Sequence, residues 1–494
     1  MAAAAADYHQ SGRDAGGEWR VTLQAGGVAK HERKDSSKAS TLAWPFPWAS
    51  ELQGFATTAW KTGAEDPRKV IHGIKMGMAL TLCSVFYYVR PLYLFTGENA
   101  IWAILTVVLI FEYTVGGCVY KGLNRAMATV VGGAMALGVH WIASKAGKEL
   151  EPYILSASLS VLAAVATFSR FIPALKARFE YGATIFILTY ALVGVSGYRV
   201  EAVAPMALQR LMTVSIGAVI CLSVCALVCP VWAGQELHSL VARNMDKLAA
   251  DVEACVDHYF SAAAAAAAGE GSPSQGYMSV LNAKASEDSL ATLAWWEPGH
   301  GKFGFSHPYG HYQKLGAALR RCAHVVDTLA AASVCAEAPA PARVKKRLDG
   351  ACATLNRHCA TVLRVASASV ASMTCSGRLA LAVGDMNAAA KELRAELRRL
   401  AEALEEDSSS VLSDHKQNAA DDQLPSAAAT PRAQSLVQAL PLFTAASLLL
   451  EICARVEGVV GAVNTLATTA RFKKSDCTES TPENDLSKPL LLEK

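Results

Sequence analysis

The sequence predicts an all-α membrane protein: six transmembrane helices followed by a cytosolic helical bundle domain. Three observations predict it. Of 494 residues, 52% are hydrophobic and only 18% are charged, against about 25% charged in an average globular protein. The long apolar runs fall almost wholly between residues 70 and 232. Beyond them, apolar positions are interleaved with Glu, Lys and Arg at helical spacing. The same arithmetic excludes other classes. The chain is too apolar for disorder, its 13 Cys are too sparse for a disulfide scaffold, and a net charge of +3 with no basic block does not describe a nucleic-acid binder.

A span needs about 20 mainly apolar residues, and six segments qualify: about 70–89, 99–118, 126–144, 153–169, 181–198 and 208–231. Lys61, Arg68 and Lys69 precede the first; Lys121, Arg125, Arg170, Lys176 and Arg178 fill the second and fourth loops, and Arg243 and Lys247 follow the last. The opposite side has fewer, with Glu149, Glu151 and Glu201 beside them. By the positive-inside rule both termini are cytosolic. No cleavable signal peptide is expected, since residues 1–40 contain no apolar core.

Four regions follow: an N-terminal tail (1–64), a six-helix pore domain (65–232), a cytosolic helical domain (233–473) and a C-terminal tail (474–494). Trp44, Phe46, Trp48, Phe55 and Trp60 mark an interfacial segment at the inner headgroups. In the cytosolic domain, Val241–Phe260 and residues 309–334, 342–371, 379–406 and 434–472 read as amphipathic helices that must bury their faces against one another. Residues 407–433, rich in Ser, Asp and Pro, read as a flexible loop.

No catalytic motif survives inspection. A literal GxGxxG stands at Gly299–Gly304, but Pro298 precedes it and Pro308 follows, so it lacks the strand and helix that a dinucleotide needs. His307 and His311 have metal-like spacing, which Pro308 and Gly310 disrupt. No metal, cofactor or enzymatic activity is expected.

The informative residues are cations in the apolar block. Lys or Arg at the centre of a span costs about 2.5–3.5 kcal/mol, so such residues face a bundle interior or a water-filled path. Lys75 lies five residues into the first span, and Arg210 begins the sixth on the side where positive charge is disfavoured. Lys121, Arg125, Arg170 and Lys176 crowd the inner ends, where snorkelling competes with a functional role. Glu112 is the main carboxylate, suited to a local salt bridge with Lys121 or Arg125. Rings of Lys and Arg select anions, and the balance here is positive.

Particular runs are recognisable. Glu65–His72 leading into Lys75, Asn99–Ala103, Phe111–Gly116, Lys121–Arg125, Arg170–Pro173, Tyr181-Gly182, Ser196–Arg199, Cys229–Gly234, Trp296–Gly301 and Ala470–Phe472 resemble, in this order, the plant aluminium-activated malate transporter family. The resemblance implies a homodimeric channel in lipid that passes malate and inorganic anions such as chloride or nitrate. Its anion pathway would map to Lys75, Arg125, Arg170 and Arg210, with Lys121 and Lys176 as inner-mouth contacts. Family members occupy plasma and vacuolar membranes; the plasma membrane is favoured here, and no address signal separates the two. Two other readings stay open: a coupled organic-anion transporter, with Glu112 as the proton carrier, and a membrane-anchored scaffold.

Aluminium sensing does not follow from that resemblance. A hard trivalent cation needs converging outer carboxylates, and the first and third outer loops offer only Glu98 and Glu201, beside Arg90 and Arg199. Micromolar external Al³⁺ is therefore expected to leave the current unchanged; an increase on its addition overturns this.

Overall fold

A computed structural model describes residues 47–96, 100–198, 203–265, 276–304, 307–334, 342–417 and 431–474. Residues Met1–Val70 and Ile71–Lys494 form two compact units. In the first, helix α1 (Pro47–Glu65) leaves Phe55 and Trp60 exposed, side chains suited to a membrane interface. Trp44 and Phe46 lie outside the described residues, as does the Trp48 side chain. Helix α2 (Pro67–Tyr88) begins where its sequence directs: Asp66 accepts a hydrogen bond from the Arg68 N–H (3.2 Å), with Pro67 in the first helical position.

The apolar block continues with α3 (Arg90–Thr96), α4 (Ala100–Ile110), α5 (Val115–Ala146), α6 (Glu151–Ser169), α7 (Pro173–Gly197) and α8 (Val203–Leu227). Helices α2, α5, α6, α7 and α8 are long and apolar enough to cross a membrane. The second expected span, 99–118, is the exception. Its helix α4 has only 11 residues, about 16 Å at 1.5 Å per residue, which is half a hydrocarbon core, and residues 115–118 already belong to α5. Six full-length spans thus become five and a half-length helix, among the described residues.

The reason is local and polar. At Phe111–Thr114 the chain leaves the helix, and Thr114 Oγ1 accepts from the Gly117 N–H (3.1 Å) as N-cap of α5. The Glu112 N–H reaches Cys118 Sγ (3.1 Å), and the Val115 N–H reaches the Val231 carbonyl (2.9 Å). Irregular backbone at membrane depth persists only when buried in protein, and Phe111, Thr114 and Val115 are buried. Apolar periodicity runs unchanged through both sides of this break, so it gives no sign of it. The third span moves too: α5 starts at Val115 rather than 126, so Arg125 falls inside a 32-residue helix.

Helices α4 and α8 pack tightly. A Cβ on Gly217 would lie 2.5 Å from the Ala103 carbonyl oxygen, so this position requires glycine. By contrast, α6 buries no residue, leaving Tyr153, Val161, Val165 and Phe168 exposed; a face of that kind calls for lipid or protein cover.

The second half consists of α9 (Ala233–Ala265), α10 (Gly276–Leu281), α11 (Lys284–Ala294), α12 (Tyr309–Val334), α13 (Ala342–Ser372), α14 (Gly377–Gln417) and α15 (Pro431–Thr469). Their inward faces form one apolar core from Leu237 to Phe472, separate from the clusters of the apolar block. Two short parallel strands, β1 (Thr374–Cys375) and β2 (Lys473–Lys474), tie the ends of α13 and α15. The loop expected over 407–433 starts later, since α14 extends to Gln417; residues 418–430 lie outside the described ones. The apolar block from Ile71 and this bundle belong to one compact unit.

Glu297 joins the two halves. Its buried carboxylate accepts from the Gly116 N–H (3.2 Å) at the start of α5, and from the Ala233 (2.5 Å) and Gly234 (3.0 Å) N–H groups at the start of α9. Helix N-termini carry unsatisfied N–H groups and a positive dipole end, so one carboxylate caps two helices. Burial pushes its carboxyl up, and the three donors oppose that. Gly116 makes the approach possible: a Cβ there would overlap the Leu293 carbonyl and the Glu297 side chain. Trp296 packs against Tyr120, and Arg178 lies over the Trp295 ring at 5.6 Å.

Beside this joint lies a histidine cluster. Tyr312 Oη is hydrogen-bonded to His238 Nδ1 (3.0 Å) and His307 Nε2 (3.1 Å), while His300 stacks on Trp232 with centroids 3.8 Å apart. Burial and the neighbouring His238 and His300 lower His307 to about 4, and burial lowers His238.

Two outcomes follow. Glu297→Ala strands three buried N–H groups at about 1–3 kcal/mol each, so detergent-solubilised protein should melt several degrees lower, and Glu297→Asp, too short to span both helices, should not restore it. Both histidines have depressed folded values, so their contribution is complete above about 6.5 and is lost as pH falls below it, for His307 toward a folded value of about 4. Melting temperature should fall between pH 7 and pH 5, and His307→Gln should flatten that slope.

Candidate anion pathway

Arg125 is the eleventh residue of α5 and Arg210 the eighth of α8. These helices pack together and bring both arginines to one cavity of about 20 Å³, which Trp102, Thr129 and Thr189 also line. Arg125 is 3% exposed, and its Nε and Nη1 have no hydrogen-bond partner among the described residues; the buried Nε of Arg210 has none there either. The Arg210 guanidinium lies over the Trp102 ring at 4.6 Å, a cation–π contact that holds it without neutralising it.

Among the described residues, no carboxylate lines this cavity. Two like charges in low dielectric with idle donors are costly, and an anion between them removes both penalties. The guanidinium fork matches a carboxylate in bidentate geometry. A space of 20 Å³ holds about one water. A dicarboxylate therefore needs the arginines to separate.

The structure disperses the other expected cations. Lys75 is 2% exposed, and its Nζ donates to the Cys229 carbonyl at 2.6 Å. Cys229 follows α8 with a positive φ of 41°, so Lys75 satisfies a carbonyl at the end of that helix, where a cation is stabilising; it is not among the residues lining the arginine cavity. Arg170 pairs with Glu180 (3.3 Å) along a separate open groove of about 350 Å³ that Asn124 and Phe186 also line. Lys121 forms an ion pair with Glu112 and lies 5.7 Å from the Tyr181 ring. Lys176 is exposed near the start of α7. Glu98, Arg199 and Glu201, the outer-loop groups weighed for aluminium, lie outside the described residues.

Several contributors escape sequence reasoning. Trp102 stands in an apolar run that marks it as lipid-facing or core, and only the fold sets it under Arg210. Thr129 and Thr189 sit on different helices, and nothing in their spacing relates them. Glu297 carries a signal that periodicity does not use: an acidic residue between Trp296 and Pro298 in a break between helices.

Known sequences resemble this chain over most of its length. The family described as aluminium activated malate transporter matches residues 60–428. Aluminum-activated malate transporter 10 of Arabidopsis thaliana is 36% identical over 96% of this chain and 98% of its own length. Aluminum-activated malate transporter 1 of Triticum aestivum is 37% identical over 97% and 98%. Aluminum-activated malate transporter 2 of Arabidopsis thaliana is 38% identical over 84% and 77%. These relatives are named as transporters rather than enzymes, in keeping with the five apolar helices and the absence of a catalytic motif in the sequence. The chain is an integral membrane protein and belongs to the aluminium-activated malate transporter family.

Proposed function

We propose that this protein is a passive channel for malate and for inorganic anions such as chloride or nitrate, with a basic pore formed at a homodimer. The reading places it in a plant membrane, the plasma membrane first, with both termini cytosolic. The observation that supports it is the joint exposure of Arg125 and Arg210 to one cavity with unpartnered N–H groups and no carboxylate.

The mechanism follows from charge. Malate gives up part of its hydration and takes up Arg125 and Arg210 donors, with the Thr129 and Thr189 hydroxyls at the same level. Release requires that this binding stay weak, and the mutual repulsion of the two guanidiniums supplies that. On this reading, malate passes the 20 Å³ cavity only once α5 and α8 separate. A divalent anion crossing the whole field changes energy by about 4.6 kcal/mol per 100 mV, twice the single-charge value, so voltage alone drives transport. The Lys121–Glu112 pair speaks against Glu112 as a mobile proton carrier, which leaves the coupled reading without a support. An apolar anchor would have no use for two buried arginines, which weighs against a scaffold.

The test is two-electrode voltage clamp on malate-loaded oocytes. Wild type should carry an inward current, the efflux of anions, whose reversal potential follows the malate gradient. Arg210→Ala and Arg125→Ala each remove a charge-assisted contact of about 1.5–3 kcal/mol, and each should reduce the current about tenfold at equal surface expression. Wild type at the surface without current in malate, nitrate or chloride overturns the reading. Lys75→Met gives a contrast: it should lower yield and melting temperature, through the lost tie to Cys229, and leave the malate-to-chloride permeability ratio unchanged.

A further inference from the structure

Three thiols surround the break between α4 and α5. Cys118 lies in the first turn of α5, and Cys221 and Cys225 lie one turn apart on α8; all three are at most 1% exposed. Cys118 Sγ accepts from the Glu112 N–H (3.1 Å) and donates to the Glu112 carbonyl (3.4 Å). The Cys225 thiol donates to that same carbonyl oxygen (3.9 Å). Cys118, Cys221 and Cys225 all belong to one buried cluster. Two sulfurs of different helices thus meet on one oxygen, at the place where the second apolar segment stops being a helix. The described residues hold no group fit to bind a metal ion, so the cluster is not read as a metal site.

We propose that Cys118 and one of the two α8 thiols form a reversible dithiol–disulfide pair whose oxidation by a peroxide ties α5 to α8 and lowers anion flux. The step balances as two thiols and one hydrogen peroxide giving one disulfide and two waters. One sulfur attacks peroxide, breaking the O–O bond and forming a sulfenic acid with loss of water. The second sulfur then displaces the sulfenic hydroxyl as water, forming the S–S bond. Burial limits access to the thiols and makes the first event slow, but hydrogen peroxide is small and neutral enough to enter. The shared approach of Cys118 and Cys225 to the Glu112 carbonyl makes the second event intramolecular and fast.

The consequence rests on the proposed channel. Arg125 lies seven residues beyond Cys118 on α5, and Arg210 lies eleven before Cys221 on α8. A covalent tie between these helices prevents the separation that malate requires at the arginine cavity.

The experiment uses full-length protein in oocyte membranes exposed to hydrogen peroxide, with free thiols then alkylated and the protein digested without reductant. A cross-linked peptide joining Cys118 to Cys221 or Cys225, lighter by two hydrogens than its parts and absent after reductant, is expected. The current should fall at least twofold and recover in reductant. Cys118→Ser should remove both effects, and so should the Cys221→Ala/Cys225→Ala double variant. Cys229→Ala, which removes an exposed thiol near the same helix end, should keep both. Oxidation confined to the exposed Cys229 and Cys375, or a cross-link with unchanged current, overturns the proposal. Absence of current before oxidation counts against the channel reading, and the cross-linked peptide then decides the thiol pair by itself.

Discussion

A single carboxylate shared between two helix starts is the constraint on which the rest of this molecule depends. The Glu297 oxygens take the first-turn N–H groups of α5 and of α9, so the longest apolar helix and the first bundle helix are held to one point. The hydrogen bonds alone do not make this demanding; the burial does. An ionised carboxylate out of water is tolerated only when its lone pairs are filled, and removal of the acid would leave the donors as exposed to that penalty as the acid was. The glycine at 116 exists to allow the approach. The Trp296–Tyr120 and Trp295–Arg178 contacts brace the same segment against α5 and α7.

From that joint the placement of the arginines follows. Because α5 is fixed at its N-terminal turn, Arg125 is carried about 15 Å up the helix axis at 1.5 Å per residue, to a buried position. The half-length α4 delivers Trp102 beneath Arg210. A through-going second helix would have no break for Glu112, Thr114 and Cys118 to stabilise. The histidines around Tyr312 lie next to this joint and remain neutral because burial disfavours their charge. The joint is therefore built for neutral pH.

Much of the architecture was legible because it rests on local signals. Apolar length and 3.6-residue periodicity locate α12 and α13 within a residue or two of their observed bounds, and the Asp66-Pro67 start of α2 is plain in the chain. The break at Phe111–Thr114 was not legible, since apolar residues flank it on both sides and its stabilisation comes from Val231, a hundred residues away. The candidate site divides in the same manner. Arg125 and Arg210 stood out as cations in apolar surroundings, and the Glu112–Lys121 pair could be anticipated from proximity along the chain. Lys75 has the same sequence signature as the arginines. What distinguishes it is a carbonyl 154 residues distant that takes its proton donor.

The sequence by itself determined that this is an all-α membrane protein, where most of its helices run, and that cations stand among apolar residues, because hydropathy, periodicity and charge are properties of neighbouring residues. Only the tertiary structure decided which cations stay unpaired, since pairing depends on which helices touch. It set Arg170 against Glu180 and Lys75 against the end of α8, and left Arg125 and Arg210 facing one cavity without a carboxylate. The physical reason is that desolvation is local to a residue whereas its compensation comes from distant parts of the chain.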